Sequence, residues 1–196
     1  MTKKVETEKD SNGNTQTHTT EYTYNAFNKV EEIKEIVGAG EPAYTTFTYD
    51  EKGNLTGTKD AEGNTVSHKY DDAGRKTWTK QHFKNGTAIV TEYTYYPNDL
   101  LKTIKDVKGN VTTYEYEDQK RVKKITYPDA SYLEYTYTEK LVDGKKYRVT
   151  IEKQRNGIVV TNNYDQLNRL VKRGISAVEG VGGATFEDYD YDALSC

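Results

Sequence analysis

A paired aromatic motif recurs along this chain at a nearly fixed spacing, and a chain with that habit must fold as a repeat. The pairs are Tyr22-Thr23-Tyr24, Phe47-Thr48-Tyr49, His68-Lys69-Tyr70, Tyr93-Thr94-Tyr95, Tyr114-Glu115-Tyr116, Tyr135-Thr136-Tyr137 and Tyr189-Asp190-Tyr191, with Asn162-Asn163-Tyr164 as a weaker copy. Successive second tyrosines lie 25, 21, 25, 21, 21, 27 and 27 residues apart. The base unit is therefore 21 residues, with insertions of four or six. A period of that size marks stacked supersecondary units, each too small to bury an apolar face alone.

Each unit follows one script. Asp often follows the second Tyr, at Asp50, Asp71, Asp165 and Asp192. A turn comes next, around Gly53-Asn54, Gly74-Arg75 or Asn168-Arg169. A β-rich basic stretch then reaches a second turn, as in Asp60-Ala61-Glu62-Gly63-Asn64 and Asp106-Val107-Lys108-Gly109-Asn110, and Asp10-Ser11-Asn12-Gly13-Asn14 opens the chain in the same way. Tyr, Thr and Val suit a pleated, half-buried surface. Residues i and i+2 share one face of a strand, so both aromatics of a pair point the same way. Two strands and two turns fill 21 residues, and the predicted unit is strand, turn, strand, turn. The segment Val30-Glu31-Glu32-Ile33-Lys34-Glu35-Ile36-Val37 carries apolar residues at helical spacing. Its place in the repeat matches Leu101 to Ile104 and Val122 to Ile125, so it is read as strand.

Composition supports a thin core. Leu, Ile, Val and Phe number only 35 of 196 residues, but 18 Tyr make up the deficit and the net charge is a modest -3. The predicted core is tyrosine-rich. The same charge balance gives no field to gather nucleic acid, and no apolar run is long enough to span a membrane. The N-terminus lacks the apolar stretch of a signal peptide.

Tyr70-Asp71-Asp72-Ala73-Gly74-Arg75, followed by a Gly-Asn turn and another aromatic pair, resembles the Rhs/YD repeat. Tyr49-Asp50-Glu51-Lys52-Gly53-Asn54-Leu55 and Tyr164-Asp165-Gln166-Leu167-Asn168-Arg169-Leu170 are further copies, and the resemblance covers essentially the whole chain. That family includes bacterial polymorphic toxins, wall-associated proteins, insecticidal toxin complexes and teneurins. The resemblance implies an all-β fold of tandem antiparallel hairpins in a curved or spiralling sheet, part of a shell. It also implies a secreted or cell-surface parent, with flanking repeats and an effector domain as partners. The chain is expected to be one array, residues 1–196, of seven to eight units cut inside a repeat at both ends. No Pro follows an Asp, so the Asp-Pro core segment and self-cleavage site of family shells are not expected here.

The expected structural markers are Tyr24, Tyr49, Asp50, Gly53, Tyr70, Asp71, Gly74, Arg75, Tyr95, Gly109, Tyr116, Tyr137, Tyr164, Asp165, Arg169, Tyr191 and Asp192. Other features read as structure rather than chemistry. His18, His68 and His82 lack ligand spacing, and Cys196 has no neighbouring His. The Asp10 turn resembles half a calcium loop that nothing completes. Gly180-Val181-Gly182-Gly183 lacks the strand–helix setting of a phosphate cradle. The stretches Lys120 to Lys124 and Lys145 to Arg148 read as solvated strand faces. No enzyme site and no cofactor are expected. The leading function is a structural scaffold; the alternative is a carbohydrate-binding or adhesion surface, with self-association through open sheet edges.

Overall fold

The computed structural model describes residues 2–9, 15–142, 144–154, 156–176 and 185–189. The turn at Asp10, the glycines 180–183, Tyr191, Asp192 and Cys196 lie outside them. Every regular element described is a β-strand, and strand order in the sheet is the order of the chain. Residues 30–37 form a strand despite their apolar spacing, because antiparallel neighbours on both sides satisfy their backbone groups.

Contacts group the chain into two units, Met1–Thr94 with Ile104–Gly109, and Tyr95–Thr103 with Asn110–Cys196. The first contains β1 (Thr2–Lys9), β2 (Thr15–Tyr24), β3 (Val30–Val37), β4 (Ala43–Tyr49), β5 (Leu55–Lys59), β6 (Thr65–Tyr70), β7 (Lys76–His82) and nearly all of β8 (Ala88–Tyr95). The strand β9 (Leu101–Lys105) is divided between the two. The second contains β10 (Val111–Tyr116), β11 (Val122–Thr126), β12 (Tyr132–Val142), β13 (Lys145–Lys153), β14 (Val159–Tyr164), β15 (Leu170–Ser176) and β16 (Thr185–Asp188).

One five-residue loop is used at both ends of the hairpins. In loop 71–75 the Asp71 N–H donates to the Arg75 carbonyl and the Gly74 N–H donates to the Asp71 carbonyl, each at 2.9 Å. The same two bonds close loops 25–29, 50–54, 60–64, 83–87, 96–100, 117–121, 127–131, 154–158 and 165–169. The closure forces the fourth residue into the left-handed region. Gly fills it at Gly53, Gly63 and Gly74, as the sequence predicts, but Asn28, Asp99, Lys120, Ala130 and Asn168 adopt it too, with φ of 59° to 68°. Those non-glycine loops are hard to find by searching for Gly.

In the unit from Tyr70 to Tyr95 the four-residue insertion lengthens arms and leaves the loop alone. In the 21-residue unit β5 and β6 have 5 and 6 residues; in the 25-residue unit β7 and β8 have 7 and 8. Loops 60–64 and 83–87 are the same loop. Adding two residues to each arm preserves which side chains face which way, because the side-chain period of a strand is two. His82 therefore ends β7 in register with Thr65 and Ala88.

The expected tyrosine-rich core requires correction. Among the described residues only Val149 and Val160 are buried hydrophobics, at 6% and 3% exposure, and Tyr24 is exposed. The other described marker tyrosines are half-buried. The physical reason is that, within each unit, strands touch only their sequence neighbours. Without a second layer against the rings, burial stops halfway.

No atom lies within 4 Å of where a Cβ on Gly74 would sit. Gly74→Ala therefore tests backbone strain alone, and is expected to lower stability by about 1 kcal/mol. Gly74→Asn should cost less, since Asn tolerates the left-handed region. Urea unfolding of both variants checks this; equal loss in the two would argue against strain as the cause.

Candidate functional site: the lock between successive hairpins

At Tyr24, Tyr49, Tyr70, Tyr116 and Tyr164 the second tyrosine of the pair sits at a β-bulge, whereas Tyr137 pairs regularly with Thr150. Thr48 pairs with Gly57, but the next residue, Tyr49, pairs with Leu55, leaving Thr56 extra. Tyr24 pairs with Val30 past Glu31, Tyr70 with Lys76 past Thr77, Tyr116 with Val122 past Lys123, and Tyr164 with Leu170 past Val171. Every such bulge falls at the end of a tyrosine strand, with the extra residue on the following strand. Bulges sharpen local twist and redirect side chains.

The bulge leaves a carbonyl for the next tyrosine to find. The β5–β6 ladder ends where Gly57 meets Ser67, short of Leu55. The Tyr70 hydroxyl reaches over that gap and donates to the Leu55 carbonyl at 2.8 Å. In the same way the β3–β4 ladder ends at Glu32 and Thr46, and the Tyr49 hydroxyl donates to the Val30 carbonyl at 2.8 Å. The β11–β12 ladder ends at Lys124 and Glu134, and the Tyr137 hydroxyl donates to the Val122 carbonyl at 2.8 Å. In all three, the tyrosine lies three residues beyond the last pair and the acceptor two residues before it. Each acceptor is the residue set opposite the preceding tyrosine by its bulge. Burial raises the hydroxyl pKa of Tyr70 and Tyr137 above the ordinary 10.0, so both stay protonated donors at neutral pH.

The loop before each lock is itself tied. Asp71 accepts from the Arg75 N–H at 2.9 Å through Oδ1 and from Arg75 Nε at 2.8 Å through Oδ2. Asp165 holds Arg169 identically, at 2.9 and 2.8 Å. Asp50 holds Asn54 and Asp60 holds Asn64 through the same two kinds of bond. Glu117 holds Arg121, with Nη2 at 3.0 Å. Arg121 then lies 4.1 Å from the centre of the Tyr137 ring, which completes a chain from carboxylate to guanidinium to ring to carbonyl. Lys29, the fifth residue of its loop, lies over Tyr49 in the same way and donates to the Gly53 carbonyl of the next loop. Lys52 donates across loops to the Asp72 carbonyl at 2.9 Å.

Several of the predicted markers thus meet, and their partners were not legible. Tyr96, which stands where Asp follows Tyr elsewhere, makes a contact the sequence did not mark: it donates to the Tyr114 carbonyl at 3.0 Å and packs edge-on against Tyr116. The signal was the Tyr-for-Asp replacement itself. His68 sits beside Tyr70 with Nδ1 3.0 Å from Thr79 Oγ1, a cross-strand partner, and its pKa is lowered by burial and by Lys76. Among the described residues no group of three or more His, Cys, Asp or Glu is placed to hold a metal. No helix among them is long and apolar enough to cross a membrane.

The sequence model of the RHS Repeat family matches residues 49–88 and 90–132. Those residues therefore carry the Rhs repeat. The lock extends past the matched residues in both directions, with Val30 before them and Tyr137 after. A crystal structure of TcdB2-TccC3 is 16% identical, with a TM-score of 0.49 over 87% of this chain and 12% of that one. A crystal structure of TcdB2-TccC3-Cdc42 is 17% identical, with a TM-score of 0.48 over the same shares. This chain therefore spans only about an eighth of their length. A porin-like protein from Bacteroides uniformis ATCC 8492 is 11% identical, with a TM-score of 0.34, covering 94% of this chain and 93% of that one. No curated protein matches the chain.

Removing one hydroxyl should leave a carbonyl without its partner. Tyr70→Phe or Tyr137→Phe is expected to cost about 1 kcal/mol in urea unfolding. Tyr44→Phe, at a 43% exposed ring outside the lock, should change stability by only a few tenths. Similar values at all three positions would remove the hydroxyl from the account. The loop ties carry a pH signature. Asp71 and Asp165 are held below the ordinary 3.8, first by the backbone N–H of the residue four on, and Asp50 and Asp60 first by the Asn side chain. Glu117 is held below 4.5, chiefly by Arg121. The unfolded chain therefore takes up protons first, so the stabilisation is whole above those values and lost as pH falls below them. Asp71→Asn should lower the neutral plateau and flatten the acid limb, with wild type and variant converging at low pH where the carboxylate is protonated; a variant that differs most in acid would contradict the sign.

Proposed function

We propose that this Rhs array is a load-free structural wall, one section of a shell that encloses or displays an effector of a larger secreted or cell-surface protein. The observation that supports this is the lock itself. Each hairpin presents the next with an acceptor carbonyl at the same offset, so the array can be extended by any number of units without new chemistry. A sheet that grows by one rule suits a wall. Its partners on this reading are the repeats that flank it and the segment it surrounds.

The test uses the full parent polypeptide under limited proteolysis. With the array intact, its non-repeat neighbour should resist cleavage. With Tyr49→Phe, Tyr70→Phe and Tyr137→Phe combined, that neighbour should become cleavable while its own fold, followed by its spectroscopic signal, is unchanged. Equal cleavage in both proteins would overturn the enclosing role. Fractionation should place the parent outside the cytoplasm; retention inside would overturn the secreted reading.

A further inference from the structure

The second unit carries a groove of about 1040 Å³ along β12 to β16, on the face opposite Tyr135 and Tyr137. Cross-strand register builds that face. Val149 lies opposite Asn163, which lies opposite Lys172, which lies opposite Asp188. Tyr147 lies opposite Lys140, and Gly174 opposite Phe186. Phe186 rests against Gly174 so closely that a Cβ there would meet the ring at 3.1 Å.

Two properties of the groove point to one kind of occupant. The first is unspent apolar surface: Leu167 is 66% and Phe186 65% exposed, and Val142 and Tyr189 are also exposed, all on the rim of one groove floored by buried Val149. Exposed apolar residues gathered in one place mark an interaction surface. The second is charge. Lys140, Lys145, Lys146, Arg169 and Lys172 line the groove against only Asp165 and Asp188, although the whole chain carries -3. Arg169 is held by Asp165 at 2.8 Å, Lys172 by Asp188 at 3.1 Å and Lys146 by Glu139 at 2.7 Å. Lys140, opposite Tyr147, and Lys145, two residues before it on the same face, have no ion pair among the described residues.

We propose that this groove docks an extended acidic peptide with interspersed apolar side chains, its carboxylates over Lys140 and Lys145 and its apolar groups against Leu167 and Phe186. Apolar rim residues favour a peptide over a sulfated glycan, whose hydroxyls and sulfates would leave Leu167 and Phe186 uncovered. The proposal does not depend on the enclosing role, because a free peptide can test it.

The experiment is fluorescence anisotropy on the full chain with a labelled peptide alternating Glu with Leu, against a Lys–Leu peptide of equal length and a heparin oligosaccharide. Binding of the Glu–Leu peptide alone is expected, weakening with salt. Lys140→Glu with Lys145→Glu should weaken it about tenfold, Lys140→Arg with Lys145→Arg should preserve it, and Leu167→Asp should weaken it with less salt dependence. All three changes are at surface positions, and unchanged far-UV circular dichroism checks the fold. No binding of the Glu–Leu peptide, equal binding of the Lys–Leu peptide, or preference for heparin would each overturn the proposal. A failure here leaves the protease test of the wall untouched.

Discussion

A sheet whose strands touch only their neighbours has no opposing layer to hold it, so its hairpins must be fastened at their ends. The fastening is a hydrogen bond from a tyrosine hydroxyl to a backbone carbonyl just past the last ladder pair. A neutral bond of this kind contributes only about 1 kcal/mol net. Its weight comes from position. It satisfies an acceptor where main-chain pairing has run out, and it joins one unit to the residue that the previous unit's bulge has turned outward. The ring supplies contact area on the way, which is why tyrosine serves here where phenylalanine or serine would do half the task.

The rest of the unit prepares that bond. The five-residue loop brings two strands together and sets its fourth residue left-handed; where its first residue is acidic, as at Asp50, Asp60, Asp71, Glu117 and Asp165, the carboxylate ties down the fifth. Where the fifth is Arg121, the guanidinium held by Glu117 also lies on the ring of the next lock. Exposed ion pairs contribute little on their own. These act by limiting loop freedom beside a ring that must arrive at one carbonyl. The scheme also accommodates the insertion between Tyr70 and Tyr95: four residues divided equally between two arms leave loop and faces unchanged.

Much of this was legible in the sequence, because periodicity is a property of the chain. The recurrence of tyrosine gave the unit, alternation gave strands, and the Gly-Arg and Gly-Asn pairs located the turns. Residues 30–37 were assigned correctly by their place in the repeat rather than by their own spacing. The expectation of a tyrosine core failed for a physical reason: the same alternating pattern serves a ring packed under a second layer and a ring lying half-covered on a single one. Tyr96 was passed over because it is not part of the repeating aromatic pair, and its bond to the Tyr114 carbonyl depends on where the loop lies against the next strands.

The amino-acid order alone determined the class of fold and the length of the unit, since strand period and turn chemistry are local. Tertiary structure decided where each ladder stops, which residue each bulge leaves over and which carbonyl each hydroxyl meets. It also decided that Lys140, Lys145, Leu167 and Phe186, spread over three strands and a loop, line one groove. Those outcomes depend on register between strands, and register is settled by pairing across the sheet rather than by any one segment.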